Sequence, residues 1–282
     1  MITFLLISNA YAQLNPMGSI YFQNQYLANP AMPGIDRGWQ VNASYKVQWT
    51  AIDGAPTMQS ITAEYGANEK KIGLGLNFYN ENAGVILRTG VKGTYAYHLP
   101  LNDDHSFIDF GVSVGVMNEW IDDNKVIGDP GDLNVQQFNA RRFYADGDVG
   151  FAFRNQRLTA QLALPNLKQF FNRDQRRNTV DRYVYMAALS YKFLEQDFTF
   201  EPKVMYRNVE NFKDIIDLGS QFQFFQDKLV MSAMYHTTNS VTLGVGTYCQ
   251  NQLRILCLYT TGTSDLRKYS NGEFEIGLQY RL

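Results

Sequence analysis

The sequence predicts an all-β protein, a closed transmembrane antiparallel β-barrel of about fourteen strands preceded by an N-terminal periplasmic segment. Three observations predict it: apolar and polar residues alternate, connection lengths sort into two sets, and charges keep to one face. From Trp39 to Trp49 every odd position is apolar (Trp39, Val41, Ala43, Tyr45, Val47, Trp49) and every even position is polar (Gln40, Asn42, Ser44, Lys46, Gln48). The closing stretch does the same, with Phe274, Ile276, Leu278, Tyr280 and Leu282 on one face and Glu273, Glu275, Gly277, Gln279 and Arg281 on the other. A period of two is the mark of a strand with one apolar face. About ten residues is also the length at which a tilted strand crosses a bilayer.

At the start of the chain, Ile2 to Ile7 form a short apolar core and Ala10-Tyr11-Ala12 reads as a cleavage site, so 1–12 is expected to be a secretion signal and Gln13 the first mature residue. Residues 13–38 show no clear period. Pro16, Pro30 and Pro33 fall too close together for a barrel strand or a helix. Tyr21, Phe22, Tyr26, Leu27 and Met32 make the segment too apolar for a free tail. It is expected to be an ordered periplasmic element that docks into the barrel mouth, binds a partner, or does both.

The barrel occupies 39–282. Strands are expected near 39–49, 57–66, 71–80, 89–99, 106–116, 144–154, 157–164, 182–193, 197–207, 214–225, 228–237, 239–248, 251–260 and 272–282. The number is even, as a single-chain barrel with both ends on one side requires. With those ends periplasmic, the turns at 67–70, 100–105, 155–156, 194–196, 226–227 and 249–250 are all short. The other mouth receives 50–56, 81–88, 117–143, 165–181, 208–213, 238 and 261–271, which include every long connection. Outer-membrane barrels sort their loops this way, and a soluble sandwich has no reason to. Pro202 lies in mid-strand, where it removes a ladder hydrogen bond, so a bulge is expected there.

The face opposite the apolar one carries Lys46, Asp109, Asp146, Asp148, Arg182, Lys192, Glu201, Lys203, Asp217, Glu273, Glu275 and Arg281. A Lys or Arg turned to lipid near the midplane costs about 2–4 kcal/mol. Both signs turned into a lumen can pair instead, which predicts a crosslinked, plugged interior. A formal net charge of −2 gives no reason to expect a nucleic-acid partner. No apolar run is long enough for a spanning helix. Cys249 and Cys257 read as ordinary strand residues too far apart to bridge.

Sites of chemistry are sparse. His98, His105 and His236 are scattered and read as polar strand or turn residues, not as metal ligands. Asp103-Asp104 and Asp122-Asp123-Asn124 lack the spaced ligands of a calcium loop. Asp146 and Asp148 share a strand face, as an acid/base pair would, but read as luminal carboxylates balanced by Arg154 or Lys92. There is no nucleophile elbow and no phosphate-binding Gly loop; Gly73 and Gly75 sit in a strand. No cofactor, metal or catalytic residue is expected.

The N-terminal segment carries a resemblance. Gln13-Leu14-Asn15-Pro16, Gln25-Tyr26, Asn29-Pro30-Ala31-Met32-Pro33-Gly34, Tyr45-Lys46-Val47-Gln48-Trp49, Pro56-Thr57, Ala145-Asp146-Gly147-Asp148-Val149-Gly150 and Glu273-Phe274-Glu275-Ile276-Gly277-Leu278 follow one another in order and spacing. Together they resemble the PorP/SprF family of Bacteroidota outer-membrane proteins, associated with type IX secretion and gliding motility. The sequence departs from the family pattern at Leu14, Met32-Pro33 and Lys46.

The resemblance implies a non-enzymatic barrel in the outer-membrane lipid. It would assist secretion or surface attachment of cargo with a C-terminal signal, and link to periplasmic peptidoglycan-associated, secretion or motility components. The alternative is a passive porin or small-solute transporter, and a third reading is an outer-membrane enzyme. The candidate partner-binding residues are Asn15, Pro16, Tyr26, Asn29, Pro30 and Gly34, with Asn15, Asn29 and Gly34 setting turns and Tyr26 an anchor. Phe170 and Phe171 join them because they stand beside the basic stretch 173–177 in a long loop.

Overall fold

The computed structural model describes residues 19–50, 54–67, 71–101, 105–126, 133–140, 142–168, 183–209, 213–225, 228–249, 252–262 and 271–282. One antiparallel sheet runs through the chain. Its strands are β1 (Gly38–Gln48), β2 (Thr57–Gly66), β3 (Ile72–Ala83), β4 (Ile86–Pro100), β5 (Phe107–Ile121), β6 (Phe143–Arg154), β7 (Leu158–Leu164), β8 (Tyr183–Tyr191) and β9 (Phe193–Leu194). They continue as β10 (Phe198–Val209), β11 (Ile215–Phe224), β12 (Leu229–His236), β13 (Ser240–Cys249), β14 (Leu253–Thr260) and β15 (Glu273–Arg281). Each pairs with its chain neighbour, and β1 pairs with β15 to close the barrel. β8 and β9 are two pieces of one stave, because Ser190 opposite Lys203 and Phe193 opposite Phe200 follow a single register against β10. The barrel therefore has fourteen staves. Among the described residues no helix is long and apolar enough to cross a membrane.

The alternation read from the sequence sets the two faces. Trp39 and Tyr45 are about half exposed on the outside of β1, while Lys46 and Gln48 are buried inside. Outward Leu74, Leu76, Val112, Val114, Leu218, Leu243, Val245 and Ile276 continue the apolar band around the barrel. The true core is in the lumen. There Tyr21 and Phe22 pack on Met186, Met205, Met234, Ala163 and Ala188, Ile20 packs on Leu256 and Leu258, and Ala31 and Met32 pack on Ala152.

Four expectations are corrected. Trp49 is not on the outer face: β1 ends at Gln48, and Trp49 takes a positive φ of 53° and is buried. The loop expected at 81–88 is only Gly84 and Val85, because β3 and β4 extend to meet at a tight turn with Gly84 at φ 62°. The loop expected at 117–143 begins later. β5 runs to Ile121 because inward Glu119 is held by Arg88 at 3.1 Å, and a helix, α1 (Leu133–Ala140), follows. No bulge forms at Pro202, which lies opposite Ser220 in unbroken register with β11. On its other side the ladder lapses between Phe200 and Lys203, so the residue without an N–H falls where no bond is made. The register shift of β10 is at Asn208 and Val209. The three longest connections, 122–142, 165–182 and 261–272, still share one mouth, opposite the chain ends.

Candidate functional site: the filled lumen

Residues 19–34 run through the barrel as a plug. Two short 3-10 turns, Ile20–Phe22 and Gln25–Leu27, fold it on itself. Asn29 then makes an Asx turn, its Oδ1 accepting from Ala31 N at 2.9 Å. Gly34, at φ 78°, turns the chain back toward β1. A segment this rich in prolines cannot join the ladder, so its polar groups must be satisfied by the wall.

The wall obliges at two clusters of the same composition. At one end the Tyr21 hydroxyl donates to Asp217 Oδ2 at 2.9 Å. Asp217 also takes Arg207 Nη2 at 2.7 Å and His236 Nδ1 at 2.6 Å, and His236 Nε2 meets Thr242 Oγ1 at 2.8 Å. Burial first, and then the Asp217 carboxylate, hold the Tyr21 phenol well above its ordinary range, so it acts as a neutral donor. At the other end His98 Nε2 meets the Pro33 carbonyl at 3.0 Å and His98 Nδ1 meets Asp109 at 2.7 Å. Arg154 Nε donates to Asp109 at 2.9 Å. Each cluster is an Asp flanked by an Arg and a His, and each grips a plug group buried from water. Hydrogen bonds to charged groups contribute roughly 1.5–3 kcal/mol each.

Smaller groups align the rest of the plug. Ser19 N donates to Glu275 at 2.8 Å, Asn24 Nδ2 to Thr62 at 2.9 Å and Asn29 Nδ2 to the Phe151 carbonyl at 3.1 Å. Tyr26 meets Thr94 Oγ1 at 2.7 Å. Lys203 stands 4.4 Å over the Phe22 ring.

The wall is also notched. Inward glycines lie where the plug presses: Gly277 against Ile20, Gly219 against Phe22, Gly75 against the Tyr26 ring, Gly150 against Asn29, Gly111 against the Pro30 carbonyl and Gly73 against the Pro33 carbonyl. A Cβ at any of these would collide with the plug.

Toward the long-loop mouth, ion pairs link nearby staves along the inner wall. Lys46 pairs with Glu273 at 3.0 Å, Arg88 with Glu81 at 3.2 Å and Lys92 with Asp148 at 2.6 Å. Lys92 thus balances the Asp146–Asp148 pair, while Arg154 serves Asp109.

Of the candidate residues named from the sequence, Tyr26, Asn29, Pro30 and Gly34 come together in the lumen, buried and turned to the wall. Asn15, Pro16, Phe170 and Phe171, and the expected signal at 1–12, lie outside the described residues. Sequence reading missed the plug-gripping role of His98 and His236, and the notches. The signal for the notches was present as glycines at inward positions of strands, a place where glycine otherwise weakens pairing.

Fold and lumen define an outer-membrane β-barrel filled by its own N-terminal segment. Three solved structures share the architecture at fold level only. The toluene transporter TodX of P. putida is 8% identical, with 90% of this chain and 93% of that one covered and a TM-score of 0.52. The toluene transporter TbuX of Ralstonia pickettii is 10% identical, with 96% of each chain covered and a TM-score of 0.53. The monoaromatic hydrocarbon channel CymD is 8% identical, with 96% and 95% covered and a TM-score of 0.53. No curated protein matches the chain.

The family described as type IX secretion system membrane protein PorP/SprF matches residues 10–280, and the chain belongs to that family. Its fold and family are those of a membrane barrel of a secretion system, located in the outer membrane.

Proposed function

We propose that this barrel is a non-enzymatic adaptor of the type IX secretion and gliding machinery. It assists secretion or surface attachment of cargo with a C-terminal signal and couples the outer membrane to periplasmic peptidoglycan-associated, secretion or motility components. The observation that carries the reading against a conduit is the filled lumen, with a plug fitted into glycine notches and gripped by two Arg–Asp–His clusters. A barrel filled this way is a rigid scaffold with two faces. The long loops at one mouth are available to cargo. At the other mouth, which carries short turns and both ends of the wall, the plug emerges at Asp36 and Arg37, both exposed. Partner contact through the plug falls to these residues, since Tyr26, Asn29, Pro30 and Gly34 already face the wall.

The second reading, a passive porin or small-solute transporter, draws on the hydrocarbon transporters that share the fold. The lumen disfavours it. An apolar solute would have to pass Lys46, Glu81, Arg88, Lys92, Glu119 and Asp217, all buried in its path, where displacing their partners is costly. The test is cargo display in cells lacking this chain, measured beside outer-membrane uptake of small solutes. Loss of a C-terminal-signal cargo from the surface with unchanged uptake supports the adaptor. Unchanged display with reduced uptake overturns it.

A further inference from the structure

At the short-turn mouth a cavity of about 280 Å³ lies between the plug and the inner wall, bordered by β1, β2 and β15 on one side and by β6, β7 and the β8–β9 stave on the other. Six charged residues line it: Asp36, Arg37, Glu64, Arg154, Lys192 and Arg281. Four are satisfied. Arg281 pairs with Asp36 at 3.4 Å, Arg154 with Asp109 at 2.9 Å, and Glu64 accepts from Gln40 at 2.9 Å and Asn42 at 3.1 Å. Lys192 and Arg37 make no ion pair with any acid among the described residues, and that includes Glu201, which lies opposite Lys192 across the gap in the stave. Lys192 is half-buried and turned inward. The buried Glu201 is shared, at longer range, between Lys192 and Lys203, two cations to one acid, so cationic charge is in excess where Lys192 and Arg37 border one polar hollow.

We propose that this hollow binds a carboxylate-bearing segment of a periplasmic polypeptide, with Lys192 on its wall and Arg37 at its rim. Three features choose that occupant. The excess of cations over acids at Lys192, Lys203 and Arg37 favours an anion. The wall turns Lys192 away from the bilayer, so a phospholipid headgroup does not reach it. The volume is at the small end of ligand pockets, enough for one or two acidic side chains and not for a folded element. Arg37 continues directly from the plug, so an occupant here also touches the segment that fills the barrel. The inference rests on the proposed periplasmic coupling and names where it is made.

The test uses the full chain in detergent micelles with Cys249→Ser and Cys257→Ser, so that Thr159→Cys at the cavity wall alone carries an environment-sensitive fluorophore. The probes are the blocked tetrapeptide Ala-Asp-Glu-Ala, its neutral counterpart Ala-Asn-Gln-Ala, and inorganic phosphate. The expected result is saturable binding of the acidic peptide, weakened at least tenfold by Lys192→Gln and by Arg37→Gln, with no binding of the neutral peptide. Arg37 is exposed, so its variant keeps the test decisive if Lys192→Gln fails to assemble. No saturable response, equal binding of the neutral peptide, phosphate binding as tightly as the acidic peptide, or indifference to both substitutions overturns the proposal. Cargo display by the same variants in cells separates the two failures: intact display without peptide binding sinks this site alone, and lost display in the absence of the whole chain still supports the adaptor.

Discussion

Gly111 on β5 lies directly against the carbonyl of Pro30 in the plug, with no room for a methyl group between them. Wall and plug are therefore fitted to each other through backbone, not only through side chains that could give way. Gly111→Ala is expected to cost about 1–3 kcal/mol, the range for overpacking a tight interior. Gly93→Ala, on the outer face with nothing near its Cβ position, is expected to be neutral. Urea unfolding of the two variants in lipid vesicles checks the contrast.

Asp217 is the hub of one grip on the plug, and its partners are unequal. Removing the plug's own hydroxyl with Tyr21→Phe leaves Arg207 and His236 in place, so the expected loss is about 1.5–3 kcal/mol, that of one hydrogen bond to a charged group. Asp217→Asn removes the buried carboxylate shared by Tyr21, Arg207 and His236 and is expected to cost about 3–5 kcal/mol. The same unfolding assay reads both, and equal effects would contradict the hub.

Two tryptophans report which face is which. Trp39 lies on the outside of β1 and Trp49 is buried. In single-tryptophan variants reconstituted in brominated lipid, Trp39 fluorescence should be strongly quenched and Trp49 fluorescence should not. The reverse order would invert the assignment of the faces.

The fold was legible because the barrel's two faces have opposite needs. Lipid takes Val41 and Tyr45, the lumen takes Lys46 and Gln48, and a one-residue slip would exchange them. Strand ends were less legible. Glu119 extends β5 only because Arg88 waits on β4, a partner that alternation does not name. The path of the plug was legible in part: its prolines excluded strand and helix, its aromatics excluded a free tail, and Asn29 and Gly34 set its turns. What it touches was not. His98 meets Asp109 across the β4–β5 hairpin, a local pair, but it also meets Pro33 far back in the chain, a contact visible only once the barrel has closed around the plug. Neither the notched glycines nor Lys192 at the cavity has a sequence signature apart from their inward positions.

The claim most open to direct measurement is that residues 19–34 fill the barrel and make it a scaffold, not a channel. Single-channel recording in planar bilayers tests it on the full chain and on a chain lacking 19–34 that still shows barrel circular dichroism. The expected result is no steady conductance from the full chain and large, steady openings once the plug is removed. Large, steady openings from the full chain would contradict it.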